Sequence, residues 1–304
     1  MNALSGFFLF KMRLPMFRKF LLASFLGLSL YSCTKNEDEI ISGNTPPPDY
    51  TQPASLRVSF INKSYIALLG REPNVSEYDA AKLNLDAANF SKSARKSLIT
   101  SIVAQDEFYD REFELYGNDL LNSTDTSEVS EMILVYEFLL TNPAYQEYWS
   151  ALEVEISRME ALLAVPAGLK NGTVSLKEMQ RRCIDNYFFD QINMGSLNFV
   201  IACFQHLLLR NPTEFEKTEG VKMVDGFDGI LFLTAGQSKD EFENIFFASD
   251  DYYEGQVKLA FYRFLLRLPT SEEAAYYSNM LKSSSDYKAL FIELLGTDEY
   301  AGIN

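Results

Sequence analysis

The chain has 304 residues, 47% of them hydrophobic, and carries 42 acidic against 27 basic side chains for a formal charge of −15. That length and apolar content can build one large or two modest cores, so a wholly disordered chain is excluded. The acidic surplus excludes a nucleic-acid binder, because displacing counterions from a phosphate backbone takes clustered Lys and Arg.

At the N-terminus, Lys11, Arg13, Arg18 and Lys19 precede the apolar run FLLASFLGLSL (Phe20 to Leu30), and no acid occurs before Glu37. A basic segment followed by a short apolar one is the pattern of a secretory signal. The run falls short of the roughly 20 residues that a spanning helix needs. The next four residues, LYSC (Leu30 to Cys33), resemble a bacterial lipobox, in which cleavage before a lipidated cysteine leaves that cysteine as the first residue. By this resemblance residues 1–32 are the signal peptide and Cys33 is the lipidation site; a chance cysteine behind an ordinary signal is the competing reading. CTKNEDEI, from Cys33, resembles the export tag of Bacteroidota lipoproteins and implies an outer-membrane anchor facing the cell exterior, with the inner leaflet of the outer membrane as the competing reading. Removing residues 1–32 takes away four basic and no acidic residues, leaving 23 against 42, a formal −19. The lipid, rather than a basic face, is therefore expected to hold the protein to its membrane. Residues 33–55 are polar, acidic and proline-rich and read as a disordered tether, extending by about 3.1 Å per residue.

From Leu56 the chain repeats itself. YIALLGREP (Tyr65 to Pro73), FQHLLLRNP (Phe204 to Pro212) and FYRFLLRLP (Phe261 to Pro269) align without a gap, each with an arginine two residues before the proline: Arg71, Arg210 and Arg267. VYEFLLTNP (Val135 to Pro143) is a fourth, weaker copy with Thr141 in the arginine slot. A second signature closes each copy: AQDEFY from Ala104, CIDNYF from Cys183, ASDDYY from Ala248 and GTDEYA from Gly296. Apolar spacing before each proline is helical, and the proline ends that helix because its ring cannot continue the hydrogen-bond ladder. A Ser or Thr with early glutamates then starts the next helix. The predicted fold is all-α, an irregular stack of three to four degenerate helix-turn-helix repeats over residues 56–115, 116–190, 191–254 and 255–304.

The pairing of YIALLGREP with AQDEFY about 30 residues later resembles the helical repeat of bacterial surface and secreted proteins, similar in pattern to phycobilisome rod-linker domains. That resemblance implies a module for assembly or display and carries no catalytic residue. Similar helical segments accompany haem domains in some bacterial proteins, but this chain has no Cys-x-x-Cys-His, so haem is not implied and no cofactor is expected.

The recurring arginines and acids could form a site, yet a catalytic constellation is normally unique in a chain, whereas a packing device recurs with its repeat. Structural ion pairs are expected: Arg71 with Asp106 or Glu107, Arg210 with Asp250 or Asp251, and Arg267 with Asp298 or Glu299, since guanidinium geometry suits carboxylate. Cys183 and Cys203 could bond in an exported protein. Their repeat slots, shared with Ala104, Ala248 and Gly296 and with Ser64, Leu134 and Ala260, instead read as core fillers. The single histidine, His206, excludes His-x-x-x-His metal sites and is expected at a core edge. No phosphate loop, dinucleotide fingerprint, nucleophile elbow or calcium loop is present, and the chain is not expected to be an enzyme. Tyrosine-rich edges at AYQEYW (Ala144 to Trp149), DDYYEG (Asp250 to Gly255) and AAYYSN (Ala274 to Asn279) are candidates for stacking or docking. The expected function is a lipid-anchored outer-membrane scaffold or accessory protein that binds an outer-membrane or surface protein. A surface glycan-binding lipoprotein and a carboxylate-dependent hydrolase are the alternatives, and tyrosine-rich patches, coplanar aromatics or an acid-bearing cleft would separate them.

Overall fold

The computed structural model describes residues 54–303, so the signal segment, Cys33 and the tether up to residue 53 lie outside the described residues. Within them 16 α-helices carry the fold, and the one sheet is a two-stranded hairpin. The all-α reading holds. None of these helices is long and apolar enough to cross a membrane.

The first unit consists of α1 (Ala54–Leu69), α2 (Val75–Ala87), α3 (Lys92–Val103) and α4 (Asp106–Leu120). The second contains α5 (Thr126–Leu140), a 3-10 helix (Pro143–Tyr148), α6 (Trp149–Leu163), α7 (Val165–Asn171), α8 (Leu176–Ile184) and α9 (Tyr187–Ile192). The third has α10 (Ser196–Leu208), α11 (Glu214–Val224), strands β1 (Gly229–Leu231) and β2 (Thr234–Gly236), and α12 (Lys239–Ala248). The fourth has α13 (Asp250–Leu265), α14 (Ser271–Ser284), α15 (Tyr287–Leu295) and α16 (Asp298–Ala301).

Each division that lies within the described residues falls inside a helix: residues 55 and 56 in α1, 115 and 116 in α4, 190 and 191 in α9, and 254 and 255 in α13. In three of the four copies the acids of the closing signature are first-turn residues, which favour the positive end of a helix, so that signature starts a helix instead of ending a unit. Asp106, Asp250 and Asp298 each occupy the first position of α4, α13 and α16. One helix, α13, therefore closes the third unit and opens the fourth.

The proline turns share one construction. Gly70, Leu209 and Leu266 all adopt left-handed backbone, with φ of 73°, 53° and 55°. Glycine takes that conformation freely, whereas leucine does so against its Cβ. After the proline, Asn74, Thr213 and Thr270 cap α2, α11 and α14 through full capping boxes with Glu77, Glu216 and Glu273. Two orphan backbone donors are satisfied at each helix start. The β1–β2 hairpin, which the sequence analysis did not anticipate, lies on α11. It is let in by glycine, since a Cβ on Gly229 would come within 2.5 Å of the Glu219 carbonyl oxygen.

The two ends of the described residues meet: α15 packs on α3, and α16 on α1. The Arg95 guanidinium, 2% exposed, donates to Gly296 O at 3.2 Å and Phe90 O at 2.9 Å and reaches Asp298. Helix α13 touches α10, α14, α15 and α16. A buried amide and phenol network crosses the centre. Gln180 Nε2 donates to Tyr116 OH at 2.7 Å and Gln256 Oε1 at 2.8 Å, while Tyr252 donates to Gln180 Oε1 at 2.6 Å. Gln256 in turn donates to Leu207 O at 3.0 Å. Burying such groups is tolerable only because each is bonded.

Candidate protein-binding surface

The three repeat arginines do reach the closing signature, but they take its second acid. Arg71 bonds Glu107, with Nη2 to Oε2 at 2.6 Å; Arg210 bonds Asp251; and Arg267 bonds Glu299, with Nε to Oε1 at 2.6 Å. Asp106, Asp250 and Asp298 are not the partners of these arginines: Asp106 stands exposed in the first turn of α4, Asp250 is bonded by Lys282, and Asp298 by Arg95. The first acid sits at the start of its helix, and it is the next residue that faces the arginine.

Each arginine also grips a second carboxylate, the capping-box glutamate six residues on. Arg71 holds Glu77 at 2.7 and 2.9 Å, Arg210 holds Glu216 at 2.9 and 2.6 Å, and Arg267 holds Glu273 at 2.8 and 2.7 Å. The same glutamate caps the helix and clamps the arginine. Each guanidinium also lies over the aromatic ring that opens its motif: Arg71 over Tyr65 at 5.8 Å, Arg210 over Phe204 at 4.8 Å and Arg267 over Phe261 at 5.0 Å. The Arg267 bond holds the Glu273 carboxyl down near 2. Burial would raise Glu216, but Arg210 and the cap bonds outweigh it and bring that carboxyl to about 2 as well. The sequence carried a signal for this double role, a glutamate four residues after each motif proline. These clasps are structural.

Other expected features also resolve as structure. Cys183 and Cys203 are both free and buried, and desolvation pushes the Cys183 thiol up to about 12. His206 is half-buried and bonds Asp119 at 3.0 Å, a contact that raises its pKa. The described residues hold no group of His, Cys, Asp and Glu arranged for a metal ion. A cleft of about 590 Å³ does contain two acids, Asp250 and Asp251, but Lys282 and Arg210 hold them. Among the described residues the most enclosed carboxylate, Glu243, is raised to about 8 by desolvation and by Asp185 nearby, and at 0% exposure it meets no solvent. Tyr276 and Tyr277 meet edge to face at 82°, so they form no flat platform for a sugar ring.

The second unit departs from this pattern. Its chain leaves α5 through Thr141 with ordinary helical backbone, φ −84°, and enters the 3-10 helix capped by Asn142. It has neither the left-handed residue nor the arginine. Its opening helix is also turned over. Leu134 occupies the slot of Ser64, Cys203 and Ala260, which are 0%, 0% and 4% exposed, yet Leu134 is 63% exposed. Phe138 occupies the slot of the buried Leu68, Leu207 and Phe264, yet it is 69% exposed. Val135 replaces the buried aromatics Tyr65, Phe204 and Phe261 and is exposed too. The α5 face that matches the core face of the other copies is turned to solvent, and α5 buries Val129 and Ile133 instead.

Tyr145 and Tyr148 of the 3-10 helix and Val154 of α6 add exposed apolar surface to the same helical hairpin. Along this stretch of chain the charge has one sign: residues 121–157 contain seven acids and no Lys or Arg. Exposed apolar side chains among polar and acidic neighbours are the composition of a protein interface.

No family model matches the chain, and no curated protein or solved structure matches it.

Proposed function

We propose that this protein is a lipid-anchored outer-membrane scaffold or accessory subunit, and that it binds a protein partner through the outward face of α5 and the adjoining 3-10 helix. The observation that carries the reading is the exposure of Leu134, Val135 and Phe138 at positions whose equivalents in the other three copies are buried. In those copies the chain's own helices cover the face. In the second unit a partner helix is to supply that cover. The acidic surround selects a partner whose apolar stripe is flanked by Lys or Arg, which steers encounter and sets orientation. The anchor in this reading is Cys33, on the lipobox resemblance, and Cys33→Ala should release the protein from the membrane fraction.

The test is affinity purification of a C-terminally tagged protein from detergent-solubilised outer membranes, comparing the native chain with Leu134→Glu/Phe138→Glu. Both substitutions lie on an exposed face, so the variant should fold with an unchanged circular dichroism spectrum. One protein recovered in near-equal amount with the native chain and lost with the variant is the expected result. Equal recovery by both, or recovery of the native chain alone, would overturn the reading.

A further inference from the structure

Comparing the internal copies reveals a second site, independent of the α5 surface. Between α2 and α3 lies a cavity of about 740 Å³, floored by Tyr65 and walled by small side chains, among them Ala81, Asn84, Ser97 and Ser101. Small residues alone would mean little. The fourth unit shows what belongs there.

Aligned on the motif prolines and closing aspartates, Tyr65 corresponds to Phe261, Glu77 to Glu273, Ala81 to Tyr277 and Ser101 to Glu293. In the fourth unit Tyr277 fills the equivalent space. Its ring packs edge to face on Phe261 at 5.6 Å, and its phenol lies in the field of Glu293 and Glu273. Met280, at the position of Asn84, packs against the core beside it. The third unit closes the same space by direct contact. Gly220, at the position of Ala81, lets α11 approach α12 so closely that a Cβ there would stand 3.1 Å from Phe242. Met223 replaces Asn84 and Ile245 replaces Ser101, and both belong to the packed interior or its margin. Two of the three clasped copies are thus filled. The first retains the aromatic floor and the Arg71–Glu77 clasp but lacks the plug.

We infer that the α2–α3 cavity is a socket for a tyrosine side chain presented by a partner polypeptide, seated as Tyr277 is seated in the fourth unit. The floor offers the ring an edge-to-face contact, and Asn84, Ser97 and Ser101 offer the phenol hydroxyl hydrogen-bond partners at the rim. Pockets of this size accept small aromatic groups when they are largely preformed.

The test uses N-acetyltyrosinamide as the probe, with N-acetylalaninamide as its control, followed by NMR of the full-length protein. Saturable shifts should appear at Ala81 and Ser97, with affinity for the tyrosine probe at least about tenfold above that for the alanine probe. Ala81→Tyr supplies the plug from within and should abolish those shifts while keeping or raising the melting temperature. Ser97→Leu blocks the socket from the facing helix and keeps the test decisive if Ala81→Tyr fails to fold. No saturable shift in the native chain, or equal binding by the blocked variants, would overturn the assignment. A preference for a maltooligosaccharide over the tyrosine probe would overturn it as well.

Discussion

In the fourth unit the chain passes from α13 to α14 through Leu266 in the left-handed region, and Arg267 then ties together Glu273 and Glu299. In the second unit the corresponding residues are Leu140 and Thr141, both on the helical path, and no arginine follows. The later glutamate is still present, as Glu147, but it lies in the 3-10 helix with nothing to clamp. The fourth unit's opening helix buries Phe264 and Ala260, whereas the second unit's exposes Phe138 and Leu134 in the same slots. The clasp and the burial of the opening helix occur together and are lost together. The repeat without a clasp is the one whose apolar face is left exposed.

The largest effect should come from breaking what the fourth unit has and the second lacks. Arg263 donates to the buried Glu112 of α4 at 2.7 Å and to the Ala67 carbonyl of α1 at 2.8 Å, joining the fourth unit to the first. Its counterpart in the second unit is Glu137, exposed. Arg263→Met leaves Glu112, 1% exposed, without its cation, and should cost about 3–5 kcal/mol in urea denaturation.

Next comes a clasp itself. Arg210→Ala removes a bidentate bond, a second carboxylate contact and the stacking on Phe204, and should cost about 1–2 kcal/mol, above the value of an exposed pair. The clasps also set an acid limit. Glu216 and Glu273 titrate near 2 in the folded chain against an ordinary 4.5, so the stability they lend is full above 4.5 and is lost as pH falls toward 2. Arg210→Ala should flatten that part of the stability profile. An unchanged acid slope would separate the clasp from stability.

The smallest effect sharpens the comparison. Thr141→Arg restores the missing side chain but not the left-handed residue before it, so the guanidinium stays on the helical path. Stability should change by less than about 0.5 kcal/mol. A gain of the size that Arg210→Ala loses would show that arginine alone builds the clasp.

Much of this was legible in the sequence. Proline spacing and cap residues located the turns, and recurrence marked the arginines as structural. The sequence left two adjacent acids open for each arginine, and it is the second that pairs, because helix phase at the start of α4, α13 and α16 decides which carboxylate faces the arginine. The Arg95 and Arg263 contacts bridge residues some 150 to 200 apart, as with Arg263 and Glu112 or Arg95 and Gly296, and no local pattern announces them. The turned-over face of α5 was hidden for a related reason. Leu134 and Phe138 fit the apolar period of a core helix, and a period says which residues share a face without saying which way it points. The hairpin went unseen because its strands are three residues each, too short for alternation to register.

The most direct test of the central claim compares two exposed phenylalanines in cells. A photo-crosslinking residue replaces Phe138 in the unclasped unit or Phe215 in the clasped third unit, which are 69% and 60% exposed. The account predicts one discrete crosslinked protein from position 138 and none from position 215. The same crosslink from both positions, or none from 138, would contradict it.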